Sequence, residues 1–193
     1  MKQFLLPLVF SALCTRACCQ LSLSRFNEEK SHISQTGFRV LGAWSAANVI
    51  SGVIGQSTAG GEGKYFYRMN AIWGAVNLAV AIPGYLAARK HATDNSLETT
   101  LRGQSTIEKT FVFNAGLDLA YLAGGAWFLE KGNNQANPDK YRGFGKGILM
   151  QGAFLLIFDA VMFSCHNHHG KLLYRALNGL QVSPNGVGMT VRL

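Results

Sequence analysis

Four stretches of this chain are each at least 20 residues long and almost free of charge. Val40–Gly61 and Met69–Ala88 carry none, Thr110–Leu129 carries only Asp118, and Gly147–Gly170 carries only Asp159. A helix rises about 1.5 Å per residue, so about 20 residues cross the roughly 30 Å hydrocarbon core of a bilayer. A chain of 193 residues with four such stretches has room for one helical unit and little else. The expected fold class is all-α: an integral membrane four-helix bundle with an N-terminal signal segment and a short C-terminal tail.

Composition supports this through distribution rather than amount. Hydrophobic residues make up 48% of the chain, which a soluble domain also reaches, but the charges cluster between the segments. Many of the 22 glycines lie inside the apolar stretches. Membrane helices use small residues for close backbone approach, whereas each interior glycine costs a soluble helix about 1 kcal/mol relative to alanine. The net charge of +8 does not indicate nucleic acid, because the basic residues are scattered and form no stripe with interleaved aromatics. The lipid bilayer is the expected partner, with flanking positive charge meeting anionic headgroups.

Residues 1–19 read as a signal peptide: Lys2, an apolar Phe4–Cys14, then Ala17, Cys18 and Cys19 before Gln20. Removing it leaves Cys165 as the lone cysteine, so the mature chain has no intrachain disulfide. Residues 20–36 form a polar lead-in, with Leu21, Leu23 and Phe26 alternating as in a short strand. The bundle is expected over 37–170, with helices near Gly37–Thr58, Lys64–Lys90, Thr106–Gly132 and Tyr141–His169. Ser105 and Glu108 supply a capping box for the third, and Pro83 is expected to kink the second or free a carbonyl. Residues 171–193 read as an interfacial helix, a turn at Ser183–Gly186 and an extended tail that pairs with Leu21–Ser24. A cleaved signal puts six basic residues in the cytoplasmic loops against ten opposite, which goes against the positive-inside trend. Without a signal, four helices with both chain ends cytoplasmic obey the trend. The specific features of the signal are given more weight, and they place Gln20 outside the cytoplasm.

Each apolar segment carries one in-phase polar or small stripe. The first has Ser45, Asn48, Gly52 and Gly55; the second has Asn70, Gly74, Asn77, Ala81 and Gly84. The third has Asn114, Asp118, Tyr121 and Gly125; the fourth has Gly152, Asp159 and His166 at steps of seven. These steps keep residues on one helical face. A mid-membrane Asp costs about 2.5–3.5 kcal/mol on the mildest scale, so the stripes are expected to face one another. Small-residue ridges, Ala43, Ala47, Ser51 and Gly55 on the first helix and Ala71, Ala75 and Ala79 on the second, suggest a close crossing of that pair. The two halves also echo each other, each a hairpin with a Lys-Tyr pair at its turn, Lys64-Tyr65 and Lys140-Tyr141.

The candidate site is the set of intramembrane polar residues Asn48, Asn70, Asn77, Asn114, Asp118, Gln151 and Asp159. The amides suit interhelical hydrogen bonds that set register, and the two aspartates are the ionisable members. His166 and His169 share a helical face at a spacing of three and are weak metal candidates; polar residues at a helix end are the plainer account. A histidine-box oxygenase needs more clusters than five histidines allow, and P-loop, GxSxG, CxxC and HExxH motifs are absent. No cofactor is expected.

The segments Trp44–Asn48, Tyr65–Trp73 with Asn77, and Gln151–Asp159 resemble a family of small four-helix membrane proteins of Gram-negative bacteria, a domain of unknown function. The resemblance spans about Phe38–His169. It implies an α-helical membrane protein and supplies no activity. The favoured reading is non-enzymatic: a binding or accessory bundle with a polar interior that handles a small solute or proton. The alternatives are a metal-dependent membrane enzyme using Asp159 and His166, and a structural subunit of a helix–helix oligomer or membrane complex.

Overall fold

A computed structural model describes the backbone of residues 5–90, 95–178, 180–183 and 186–189, with side chains for 23–90, 95–175 and 177. Four long helices follow one another: α1 (Leu5–Thr58), α2 (Gly61–Arg89), α3 (Leu97–Gly132) and α4 (Pro138–Asn178). A two-stranded antiparallel hairpin ends the described chain, β1 (Leu180–Ser183) against β2 (Gly186–Met189).

Local chemistry explains most of the boundaries. Between α1 and α2 lies Ala59-Gly60, and Gly61 sits at φ 53°, a conformation that glycine takes without a Cβ clash. Ser96 caps α3 by accepting from the Thr99 N–H at 3.3 Å. The helix therefore starts nine residues before the expected first residue, Thr106, and Glu108 of the expected capping box instead accepts from Gln104. Asn137 accepts from the Lys140 N–H, and Pro138 occupies the first helical position of α4, where a missing N–H costs nothing. α2 runs through Pro83 without interruption.

Two further expectations change. The polar lead-in at 20–36 is part of α1 rather than strand or loop, and α4 absorbs 171–178 instead of breaking before a separate interfacial helix. β1 pairs with its own neighbour β2, not with Leu21–Ser24, which are helical, and the centre of the expected turn at 184–185 lies outside the described residues. Local hairpin closure is cheaper than pairing segments 160 residues apart. The signal segment begins at residues 1–4, which lie outside the described residues.

α1 packs on α2, α3 packs on α4, and α2 and α4 meet in the middle. No Cα atom of α2 lies within 8 Å of one in α3. Glycines set the tightest crossings: a Cβ on Gly74 would lie 2.7 Å from the Ser45 carbonyl oxygen, and one on Gly125 would lie 3.0 Å from that of Gly145. The close α1–α2 crossing is therefore made by the polar stripe itself. Of the expected ridges, Gly55 lies against Tyr67 and Ala71 against Gly52 within that crossing, whereas Ala43, Ala47, Ser51, Ala75 and Ala79 face outward. Glycine permits closer approach than alanine, and the same face must bury the amides, so one face serves both needs.

Each helix contains a window long and apolar enough to cross a membrane, with mean hydropathy between 1.2 and 1.9. At most 28% of any such window is buried inside the bundle. Phe113 and Ile157 are each 67% exposed, among many large apolar side chains on the outer surface. Apolar surface on that scale requires a non-aqueous cover.

Candidate functional site

Three polar groups lie along the bundle interior. The first joins α1, α2 and α4. Gln151, 1% exposed, donates from Nε2 to Asn48 Oδ1 at 2.8 Å and to Asn70 Oδ1 at 3.1 Å. Its Oε1 accepts from Trp44 Nε1 at 3.0 Å, and Asn48 Nδ2 donates to the Trp44 carbonyl at 2.8 Å. Trp44 also stacks on Phe154 at 4.0 Å, which seals the node from lipid. A buried amide with its donors and acceptor satisfied is a fixed joint: it sets register and rotation of three helices at once.

The second group joins α3 and α4. Asp118 and Asp159, 2% and 5% exposed, interact directly through their side chains. Among the described residues, no N–H or O–H group outside the pair donates to Asp118 Oδ2. Asn77 of α2, also buried, has an Nδ2 with no partner among them. It sits between Gly74, packed on Ser45 and Val49, and Ala81, clustered with Leu41 and Leu155. Trp73 of α2 and Tyr121 of α3 meet edge to face at 4.8 Å and bridge the two helices whose backbones stay apart. Asn114, expected in the same set, is only half-buried.

The third group lies where α1, α3 and α4 run past the end of α2. Asn27 Nδ2 donates to Thr100 Oγ1 at 2.8 Å, and Lys30 donates to Asn27 Oδ1 at 2.8 Å. Gln104, fully buried, donates to the His166 carbonyl at 2.6 Å and to Glu108 at 2.8 Å. His166 stacks on Phe111 and reaches Ser34 Oγ at 3.4 Å. His169 stacks on Phe26, and its Nε2 lies 2.9 Å from the Phe26 carbonyl. Among the described residues, Gln104 Oε1 and His166 Nδ1 have no hydrogen-bond partner.

The metal candidates are not brought together as a site needs. His166 and His169 face different partners on α1, and Asp159 faces Asp118 rather than His166. Among the described residues, no group of three or more His, Cys, Asp or Glu side chains converges as metal ligands would.

Sequence reasoning missed Trp44 as an amide donor, and missed Asn27, Thr100 and Gln104 altogether. The signal was present in the stripes. Extended backward by sevens, the α3 stripe passes from Asp118 through Phe111 to Gln104, and the α1 stripe from Leu41 through Ser34 to Asn27.

Residues 40–160 match the family model described as "Family of unknown function (DUF6992)". The chain belongs to this family. The matched span contains the whole Trp44–Asn48–Asn70–Gln151 node, Asn77 and the Asp118–Asp159 pair, and it ends before His166 and His169. No curated protein and no solved structure matches the chain. The family description carries no activity, so the chemistry of the site rests on its geometry.

Proposed function

We propose that this family member is an integral membrane protein of the binding or accessory kind, whose Asp118–Asp159 pair takes up and releases a proton or a small cationic solute within the bundle. The observation that carries this reading is the pairing of two buried carboxyl groups from different helices, one of them with an oxygen that no described group outside the pair donates to. A hydrogen bond between two carboxyl groups needs one proton between them, and a small cation can take its place. Buried acidic residues within spans mark ion or proton routes more often than they serve packing alone. The proposed setting is a bacterial inner membrane, reached by way of a cleaved signal at 1–19. N-terminal sequencing of the mature protein tests the signal, and intact Met1 would remove it.

The test of the carboxyl pair is infrared difference spectroscopy of the protein in lipid vesicles, titrated with acid and with alkali cations. A protonated-carboxyl band that shifts in D2O and disappears in both Asp118→Asn and Asp159→Asn is the expected result. A band unaffected by either substitution, or no band at any pH, overturns the reading.

A further inference from the structure

Two cavities at the end of the bundle share a wall. One is a polar cleft of about 530 Å³ whose rim includes Lys30, Arg89 and Lys90. The other is an apolar crevice of about 270 Å³ lined by Gly37, Phe38, Gly84, Phe111, Phe158 and Met162. Ser34, Ala87, Ala88 and Ile107 line both, so polar cleft and apolar crevice are contiguous.

Their origin is topological. α2 stops at Arg89, while α1, α3 and α4 continue and close on one another through Asn27–Thr100 and Phe26–His169. Because the Cα atoms of α2 and α3 stay more than 8 Å apart, the slot below that closure is not filled by direct packing of those two helices. α1 holds the α2 end in place: Ser31 and Gln35 both donate to the Ala88 carbonyl. The crevice is thus a fixed slot running from the end of α2 into the apolar depth.

Charge is distributed along the slot in one direction only. Among the described residues, Lys30, Arg89 and Lys90 form no ion pair with a carboxylate. Glu28, the one described acid on the rim, lies 3.9 Å from His32. Below the rim the side chains are apolar, including the Met162 thioether, apart from the hydroxyls of Ser34 and Thr110. We infer that this slot binds a single-chain anionic amphiphile from the membrane, with its headgroup against Lys30, Arg89 and Lys90 and its hydrocarbon chain in the Phe38–Phe111–Met162 crevice. Basic side chains at the level of the lipid headgroups attract anionic heads, and a crevice with almost no polar surface takes an alkyl chain in preference to water. The cleft falls in the usual volume range of ligand sites. The inference rests on the membrane setting and does not depend on the Asp118–Asp159 pair.

The experiment uses full-length protein in neutral detergent, with oleoyl lysophosphatidic acid and oleoyl lysophosphatidylcholine as probes read by native mass spectrometry. The anionic probe is expected to bind the wild-type protein about tenfold tighter or more than the zwitterionic one. Lys30→Gln combined with Arg89→Gln should abolish that preference and leave binding of the zwitterionic probe unchanged. Thr110→Phe and Ala87→Phe, at exposed positions that line the crevice, should weaken both probes while leaving the circular dichroism of the protein unchanged. Equal binding of the two probes by the wild-type protein overturns the inference. So does undiminished anionic binding in both crevice-filling variants. Retained probe binding alongside a missing carboxyl band would sink the proton reading alone.

Discussion

The Gln151 node and the Asp118–Asp159 pair lie in the same bundle and share α4, yet they are built on opposite principles. Around Gln151 each side-chain hydrogen-bonding atom of the amide has a partner, three helices are tied and Trp44 covers the joint. Around Asp118 two acids of the same kind face each other, with one oxygen that no described group outside the pair donates to. A satisfied buried amide stabilises a structure; an unsatisfied buried acid costs stability and persists for another reason. The difference separates joint from site among residues that look alike in sequence.

Four substitutions sharpen or break that contrast. Gln151→Ala should be the most damaging, because it strands Asn48, Asn70 and Trp44 together. A loss of about 2–4 kcal/mol is expected from three interhelical hydrogen bonds and their unpaired partners. Unfolding in mixed micelles measures it, and a loss below about 1 kcal/mol would remove the node from its structural role.

Gly74→Leu comes next. Even a Cβ there falls 2.7 Å from backbone, so α1 and α2 must separate. About 1–3 kcal/mol is expected by the same assay, typical of overpacking. Wild-type stability would show that the α1–α2 crossing is looser than described.

Asp118→Asn should move stability by only about 1 kcal/mol in either direction, since the amide keeps the shape and can donate to Asp159. It should nonetheless eliminate the carboxyl band. A loss matching that of Gln151→Ala would erase the contrast and make the pair a joint as well.

Ser45→Ala should be the mildest. Ser45 is fully buried, but its hydroxyl donates only to the Leu41 carbonyl of its own helix. A change within about 0.5 kcal/mol is expected, because such back-bonding adds little to a helix. A larger loss would point to a contact of the hydroxyl across the α1–α2 crossing.

Much of this architecture was legible from spacing alone. Asn48, Asn70, Asn77, Asn114, Asp118, Gln151 and Asp159 were singled out because lipid does not tolerate them, and all but the half-buried Asn114 are buried. Two of the helix ends near the turns, at Thr58 and Gly132, were readable from Gly and Asn breakers. The start of α3 was misread because two capping signals, Ser96 and Ser105, stand nine residues apart. Only the packing of Thr100 and Gln104 against α1 and α4 selects the earlier one. The long α1 was misread for the same reason: residues 23–36 are too polar to read as a span. They stay helical because Asn27, Ser31, Ser34 and Gln35 find partners on the other three helices.

The sequence by itself determined that four apolar helices pack with their polar faces inward, because hydrocarbon penalises an exposed amide or carboxyl whatever the helix order. Only the tertiary structure decided which polar residues meet. Helical periodicity specifies a face but not a neighbour. The choice of α4 as the common partner brought Gln151 to two asparagines and Asp159 to an acid. The short α2, ending before its neighbours do, left the slot at the end of the bundle.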